Sequence, residues 1–153
     1  MSQPSAVLDR FEANLALVHN LFDDVTEERL KEERVPGKWS AHANLAHLGQ
    51  FHDAMRERVG WILSQDDPKF TRFNPDTHPD TAVWTAKSKA QLLQDFEAER
   101  RKLLAELRAL PPEAWQRIGT HGVFGTKTLA GWLEFWLQHE GHHLYTALVR
   151  AKT

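Results

Sequence analysis

The groups best able to do chemistry crowd into one stretch near the C-terminus, His139-Glu140-Gly141-His142-His143. On a helix, His139 and His143 stand one turn apart on one face, a spacing that lets two imidazoles grip a single metal ion. The chain has no cysteine, so thiolate ligands, disulfides and a cysteine nucleophile are excluded, and any metal must be held by nitrogen or oxygen. Glutamate after the first histidine also satisfies the H-E-x-x-H form of zinc peptidases, where that carboxylate acts as general base. Against a peptidase, only ten residues follow His143 and none is His, Asp or Glu, so no third ligand can come from downstream. No strand is expected that could align a peptide.

Such residues need a scaffold, and the composition limits what it can be. With 153 residues, 41% of them hydrophobic, the chain suits one domain, 1–153, that buries its own core. Nineteen basic against 21 acidic residues leave a net charge of −2 with no basic block, so neither nucleic acid nor an anionic membrane surface is expected as a partner. The N-terminus lacks a basic start followed by an apolar run, and no apolar stretch approaches a membrane span. A soluble, cytoplasmic protein is the expectation.

Periodicity supplies the elements. Pro4 stands at a helix start, and Leu8, Phe11, Leu15, Val18 and Phe22 recur at helical spacing over roughly 4–24. A short capped turn around Thr26 and the Pro36-Gly37 break precede Ser40, an N-cap for a helix over about 41–64. On this second long helix His47 and His52 lie on opposite shoulders of the stripe, and periodicity does not choose between them. Residues 65–87, rich in proline and aspartate with interspersed aromatics, read as a long connection able to cover a site. Ser88 caps a third helix that stops at Pro111-Pro112 and carries Arg100 in the middle of its apolar face. A glycine-punctuated loop, Gly119 to Gly125, leads to a fourth helix from about Thr128 to 150. There His139 and His143 take one shoulder, His142 points away, and Glu140 falls near the centre of the buried face. Four amphipathic helices without convincing strands predict an all-α four-helix bundle with short helical turns in its connections.

Two readings stay open for Glu140. It is either half of a buried ion pair with Arg100 or a catalytic group, as general base or as acceptor for a ligand histidine. His19, His42 and His52 are read as packed, hydrogen-bonded histidines, and His78 and His121 as loop residues carrying little information. Gly141 inside a helix suggests a close helix contact or no constraint at all.

The order of Pro36-Gly37-Lys38-Trp39-Ser40, Ala46-His47-Leu48, Gly125-Thr126-Lys127-Thr128-Leu129 and His139-Glu140-x-x-His143-Leu144 resembles the DinB/YfiT-like superfamily of metal-binding four-helix bundles over nearly the whole chain. That resemblance implies His47, His139 and His143 as ligands of one divalent ion, commonly nickel or zinc, with iron also suited to three imidazoles. It implies a metal-dependent enzyme acting on a small molecule, either a hydrolase or a transferase using a low-molecular-weight thiol cosubstrate, and often a homodimer. A non-catalytic metal-binding or stress-response bundle is the alternative class.

Overall fold

A computed structural model describes residues 4–153. Six helices and three short strands run in the order α1 (Ser5–Phe22), α2 (Glu27–Lys31), α3 (Ala41–Ser64), β1 (Lys69–Phe70), α4 (Thr81–Thr85), α5 (Lys89–Arg108), β2 (Ile118–His121), β3 (Gly125–Thr128) and α6 (Leu129–Lys152), with one 3-10 turn at Pro112–Gln116. The four long helices are those the apolar stripes predict. Thr26, Ser40, Ser88 and Thr128 each cap a helix by accepting from the backbone N–H three residues on. Such caps contribute about 1 kcal/mol each and fix where the helices begin.

In the bundle α3 packs on α5 and α6, and α1 packs on the same two helices. Chain-consecutive long helices α1 and α3 therefore stand on one diagonal, and α5 and α6 on the other. The linkers through α2 and through the small sheet are long enough to cross the bundle ends.

The core is split into two apolar clusters. One contains Phe11, Phe51, Met55, Leu104, Trp132 and Trp136; the other contains Leu15, Phe22, Leu45, Leu92, Phe96 and Leu144. A polar network drawn from all four long helices lies where they meet. Arg100 of α5, fully buried, donates from Nε to His52 Nε2 of α3 at 3.0 Å, from Nη1 to the Phe11 carbonyl of α1 at 2.9 Å, and from both Nη atoms to Glu140 of α6. Asn14 of α1 adds a bond to Glu140 Oε1 at 2.7 Å. The Phe11 and Phe96 rings flank the guanidinium at 4.7 and 5.1 Å. Each member satisfies another, the condition under which a buried charge is tolerated.

His52 belongs to this network. Its Nδ1–H donates to the Gly49 carbonyl at 2.9 Å, leaving Nε2 to accept from Arg100. Burial, then the adjacent Arg100 charge, pushes its pKa down to about 3. The folded protein refuses a proton that the unfolded chain accepts at about 6.5, so stability is complete above that pH and declines as pH falls toward 3. One such proton corresponds to about 1.4 kcal/mol per pH unit. Urea denaturation between pH 7 and 4 should show a pH slope smaller by about one proton in His52→Gln than in the parent protein; equal slopes would refute the assignment.

One expectation needs correction. The connections contain a three-stranded sheet, with β1 parallel to β2 and β2 antiparallel to β3, where a glycine-punctuated loop was expected. Strands of two to four residues are too short for a period-two signature to register. The long connection also carries α4, whose Trp84 lies against Gly49 so closely that any Cβ there would overlap the indole. Gly141 faces open space, so no close helix contact explains it.

Candidate metal centre

Helix α3 presents His47 and α6 presents His139 and His143 to one point. The His47 and His139 Nε2 atoms are 3.1 Å apart, and one ring nitrogen from each of the three lies within 4.8 Å of the others. Two nitrogens each about 2.1 Å from one ion stand about 3.0–3.4 Å apart, so the first pair matches and a modest ring rotation brings in the third. His143 Nδ1 bonds the Asn44 side-chain oxygen at 2.8 Å, while Asn44 Nδ2 donates to the Ser40 carbonyl at 2.9 Å. That chain leaves the His143 Nε2 lone pair free to face the other two rings. The sequence encodes it in one helical turn: Ser40 caps α3, and Asn44 follows four residues later.

Burial is the main reason these rings stay neutral. It pushes His47 and His143 down to about 3 and His139 to about 4, with neighbouring histidines adding to the effect. Three uncharged imidazoles at neutral pH are metal donors with no proton to displace. The Nδ1 atoms of His47 and His139 are buried and have no partner among the described residues. The donor set therefore fits a divalent ion of nitrogen preference, such as zinc, nickel or iron.

Glu140 takes no part in this cluster. Its carboxylate bonds Arg100 and Asn14, so of the two readings left open by the sequence the ion pair is the one observed. A peptidase base at this position would lack a free carboxylate, although H-E-x-x-H is literally present. His142 is exposed, as its position on the helix requires. His42, buried, bonds the Lys87 carbonyl as a packed histidine does, whereas His19 is a half-exposed ring beside Glu97.

The three rings form part of the wall of a cavity of about 950 Å³. Trp39 stacks on His143 at 5.9 Å, Phe51 lies 4.4 Å from the His139 ring, and Phe73 lies 5.7 Å from His47. The connection 65–87 does cover the site. It is held to α3 by Gln50, whose amide bonds His78 Nδ1 and Thr81 Oγ1 at 2.9 Å. Opposite, the β2–β3 hairpin contributes His121 and Phe124 and is tied to α6 by a bond from Trp132 Nε1 to the Gly119 carbonyl.

Two wall residues escaped sequence reasoning. Arg58 is eleven residues after His47, a helical offset of about 20°, so it shares the His47 face three turns on. That alignment is a signal the sequence does contain. His121 carried none, because its burial depends on the unforeseen sheet.

No helix is long and apolar enough to cross a membrane among the described residues. No curated protein matches the chain. Among solved structures it is similar to YfiT from Bacillus subtilis, described as "a probable metal-dependent hydrolase with an unusual four-helix bundle topology", at 17% identity and a TM-score of 0.78, covering 96% of this chain and 84% of that one. A family model of the DinB superfamily matches residues 10–147. Nearly the whole bundle, from the first turns of α1 to the end of the histidine pair, lies inside that match, and the chain belongs to the DinB superfamily.

Proposed function

We propose that this protein is a metal-dependent enzyme of hydrolase or thiol S-transferase type, with His47, His139 and His143 holding one divalent ion. The observation that carries the reading is the convergence of three neutral, buried imidazoles from two helices on one point in the wall of a large cavity. Each ring offers one nitrogen, which leaves further coordination positions of an ion open. His47, His139 and His143 would hold a divalent ion there, and its Lewis acidity would lower the pKa of a water or thiol nucleophile and polarise an acceptor group.

The chain's own residues do the positioning. Asn44 holds the His143 ring in the tautomer that frees Nε2. Trp39, Phe51 and Phe73 pack around the three rings, excluding bulk water and lowering the local dielectric. With no cysteine in the protein, a thiol reaction requires a low-molecular-weight thiol as cosubstrate, with the sulfur deprotonated for attack. Similarity to a structure described as a probable metal-dependent hydrolase supports the same class.

Elemental analysis of tag-free protein, purified without chelator or nickel resin, tests this reading. About one zinc, nickel or iron per chain is expected, followed by ion-dependent consumption of thiol with an electrophile or of an ester or amide. A protein that carries no ion and takes none up from added zinc or nickel would overturn it. A fully loaded protein inactive in both screens would reduce it to a non-catalytic metal-binding bundle.

A further inference from the structure

The same cavity contains a cation that the histidine site does not use. Arg58 is only 8% exposed and makes no direct ion pair among the described residues; burial disfavours its charge, and the adjacent Glu57 carboxylate offsets only part of that. Its Nη2 donates to the Thr71 carbonyl at 3.0 Å, and its Cζ lies 5.7 and 5.6 Å from the Phe51 and Phe70 rings. Nε and Nη1 have no protein acceptor among the described residues. A buried arginine contrasts sharply here with Arg100, whose every neighbour answers its charge. An unanswered buried charge costs several kcal/mol unless water or a ligand solvates it.

A second donor stands in the same wall. His121, 4% exposed, accepts at Nδ1 from the backbone N–H groups of Val123 and Phe124, at 3.0 and 3.3 Å. Its proton therefore sits on Nε2, which has no protein partner among the described residues. Phe70, whose ring lies 5.6 Å from the Arg58 Cζ, is the strand partner of His121, and Arg58 and His121 line the same cavity; burial first, then the Arg58 and Lys127 charges, lower the His121 pKa, so the ring is a neutral donor beside a fixed cation. Phe51 links this region to the histidine cluster, its ring centroid 5.7 Å from the Arg58 Cζ and 4.4 Å from the His139 ring. At the rim, exposed Arg72 and Asp76 carry opposite charges, and a second cation, Lys127, lies behind the lining with its Nζ 5.2 and 5.6 Å from the Trp132 and Phe135 rings and donating to the Phe124 carbonyl.

We infer that Arg58 and His121 form an anion subsite that selects substrates bearing a carboxylate on an aromatic or apolar body. Of the groups that themselves line the deep wall, one guanidinium and one neutral N–H match a monoanion, with Lys127 adding positive potential from behind the rings, and guanidinium geometry suits a carboxylate. The aromatic wall between the subsite and the three histidines takes the apolar body and leaves the rest of the molecule directed at the metal ligands. This inference rests on the proposed enzyme reading for its use but not for its binding chemistry.

The test is a calorimetric comparison of 4-phenylbutanoate, 4-phenylbutanol and phenyl phosphate, on metal-free and zinc-loaded protein, with zinc content measured on each sample. Metal-free protein should bind the acid at least about tenfold more tightly than the alcohol, because the guanidinium supplies a charge-assisted bond that the alcohol cannot match. Arg58→Gln should abolish that preference, Arg58→Lys should keep part of it, and His121→Phe should weaken acid binding severalfold. Circular dichroism melts of each variant separate a lost subsite from a lost fold, and Arg58→Lys with His121→Phe decide the matter if Arg58→Gln does not fold. Equal affinity for acid and alcohol, a preference that appears only with zinc, or a preference unchanged in Arg58→Gln would overturn the subsite. Tighter binding of phenyl phosphate would overturn the carboxylate assignment. Acid preference without any metal uptake sustains the subsite while refuting the enzyme reading; metal uptake without acid preference refutes the subsite and leaves the enzyme reading to the activity screens.

Discussion

Glu140→Ala should lower the stability of the protein by about 3–5 kcal/mol while leaving divalent-ion uptake at the parent level. The size follows from what the substitution strands. Arg100 is fully buried, and without Glu140 its charge would keep a carbonyl, a neutral imidazole and two flanking aromatic rings but no counter-charge. Breaking one side of a buried pair typically costs that much, because the remaining charge can neither ionise favourably nor reach water. For a domain of this length the thermal midpoint should fall by roughly 10 °C. Replacing both partners with leucine should recover part of the loss, since a buried ion pair is often no better than well-packed apolar groups. A melt for Glu140→Ala that overlays the parent's would show that the ion pair carries no stability. Loss of activity at unchanged stability would instead return Glu140 to a catalytic role, and the pairing with Arg100 and Asn14 argues against that.

The second large effect concerns the three histidines, and its pattern should be the opposite. His47→Ala, His139→Ala and His143→Ala should each weaken ion binding by at least about a hundredfold, with little change in helical content. None of the three rings belongs to the central polar network, and each lies at the cavity wall, so truncation leaves the packing between helices largely intact. Asn44→Leu should fall between, at about ten- to a hundredfold, because it removes only the acceptor that orients His143. Competition with a chromophoric chelator measures all four. Full stoichiometric binding by His47→Ala would remove the third ligand and with it the reading of the site. Because burial holds the three rings neutral well below their usual range, parent affinity should stay flat from pH 8 to about 5, whereas exposed imidazoles would begin to lose ions to protons near 6.5.

Local chemistry along the chain was enough to determine the long helices and their starts. Ser40, Ser88 and Thr128 cap where their side chains can reach the third N–H onward, and the apolar stripes of α1, α3, α5 and α6 repeat often enough for a period of 3.6 to stand out. The pairing of His139 with His143 was legible for the same reason, since their geometry depends on one helix alone. The choice of His47 over His52 was not legible from helical periodicity, and only the resemblance of the surrounding motif pointed to His47. Both sit on shoulders of α3, and only the arrangement of neighbouring helices directs one toward the cavity and the other toward Arg100. Glu140 shows the same limit: its helical position announces burial, but whether burial means a base or an ion pair depends on a residue forty positions away on another helix. The sheet went unread because its strands are too short to build a pattern and are stabilised by pairing across about fifty residues of chain. With it went His121, whose burial is a property of that pairing. Tertiary structure thus decided every feature in which two elements share one environment: the completed histidine cluster, the network that divides the core, and the unanswered charge of Arg58 in the cavity wall. Charge and burial are set by neighbours in space, and a linear sequence specifies those neighbours only through the fold it makes.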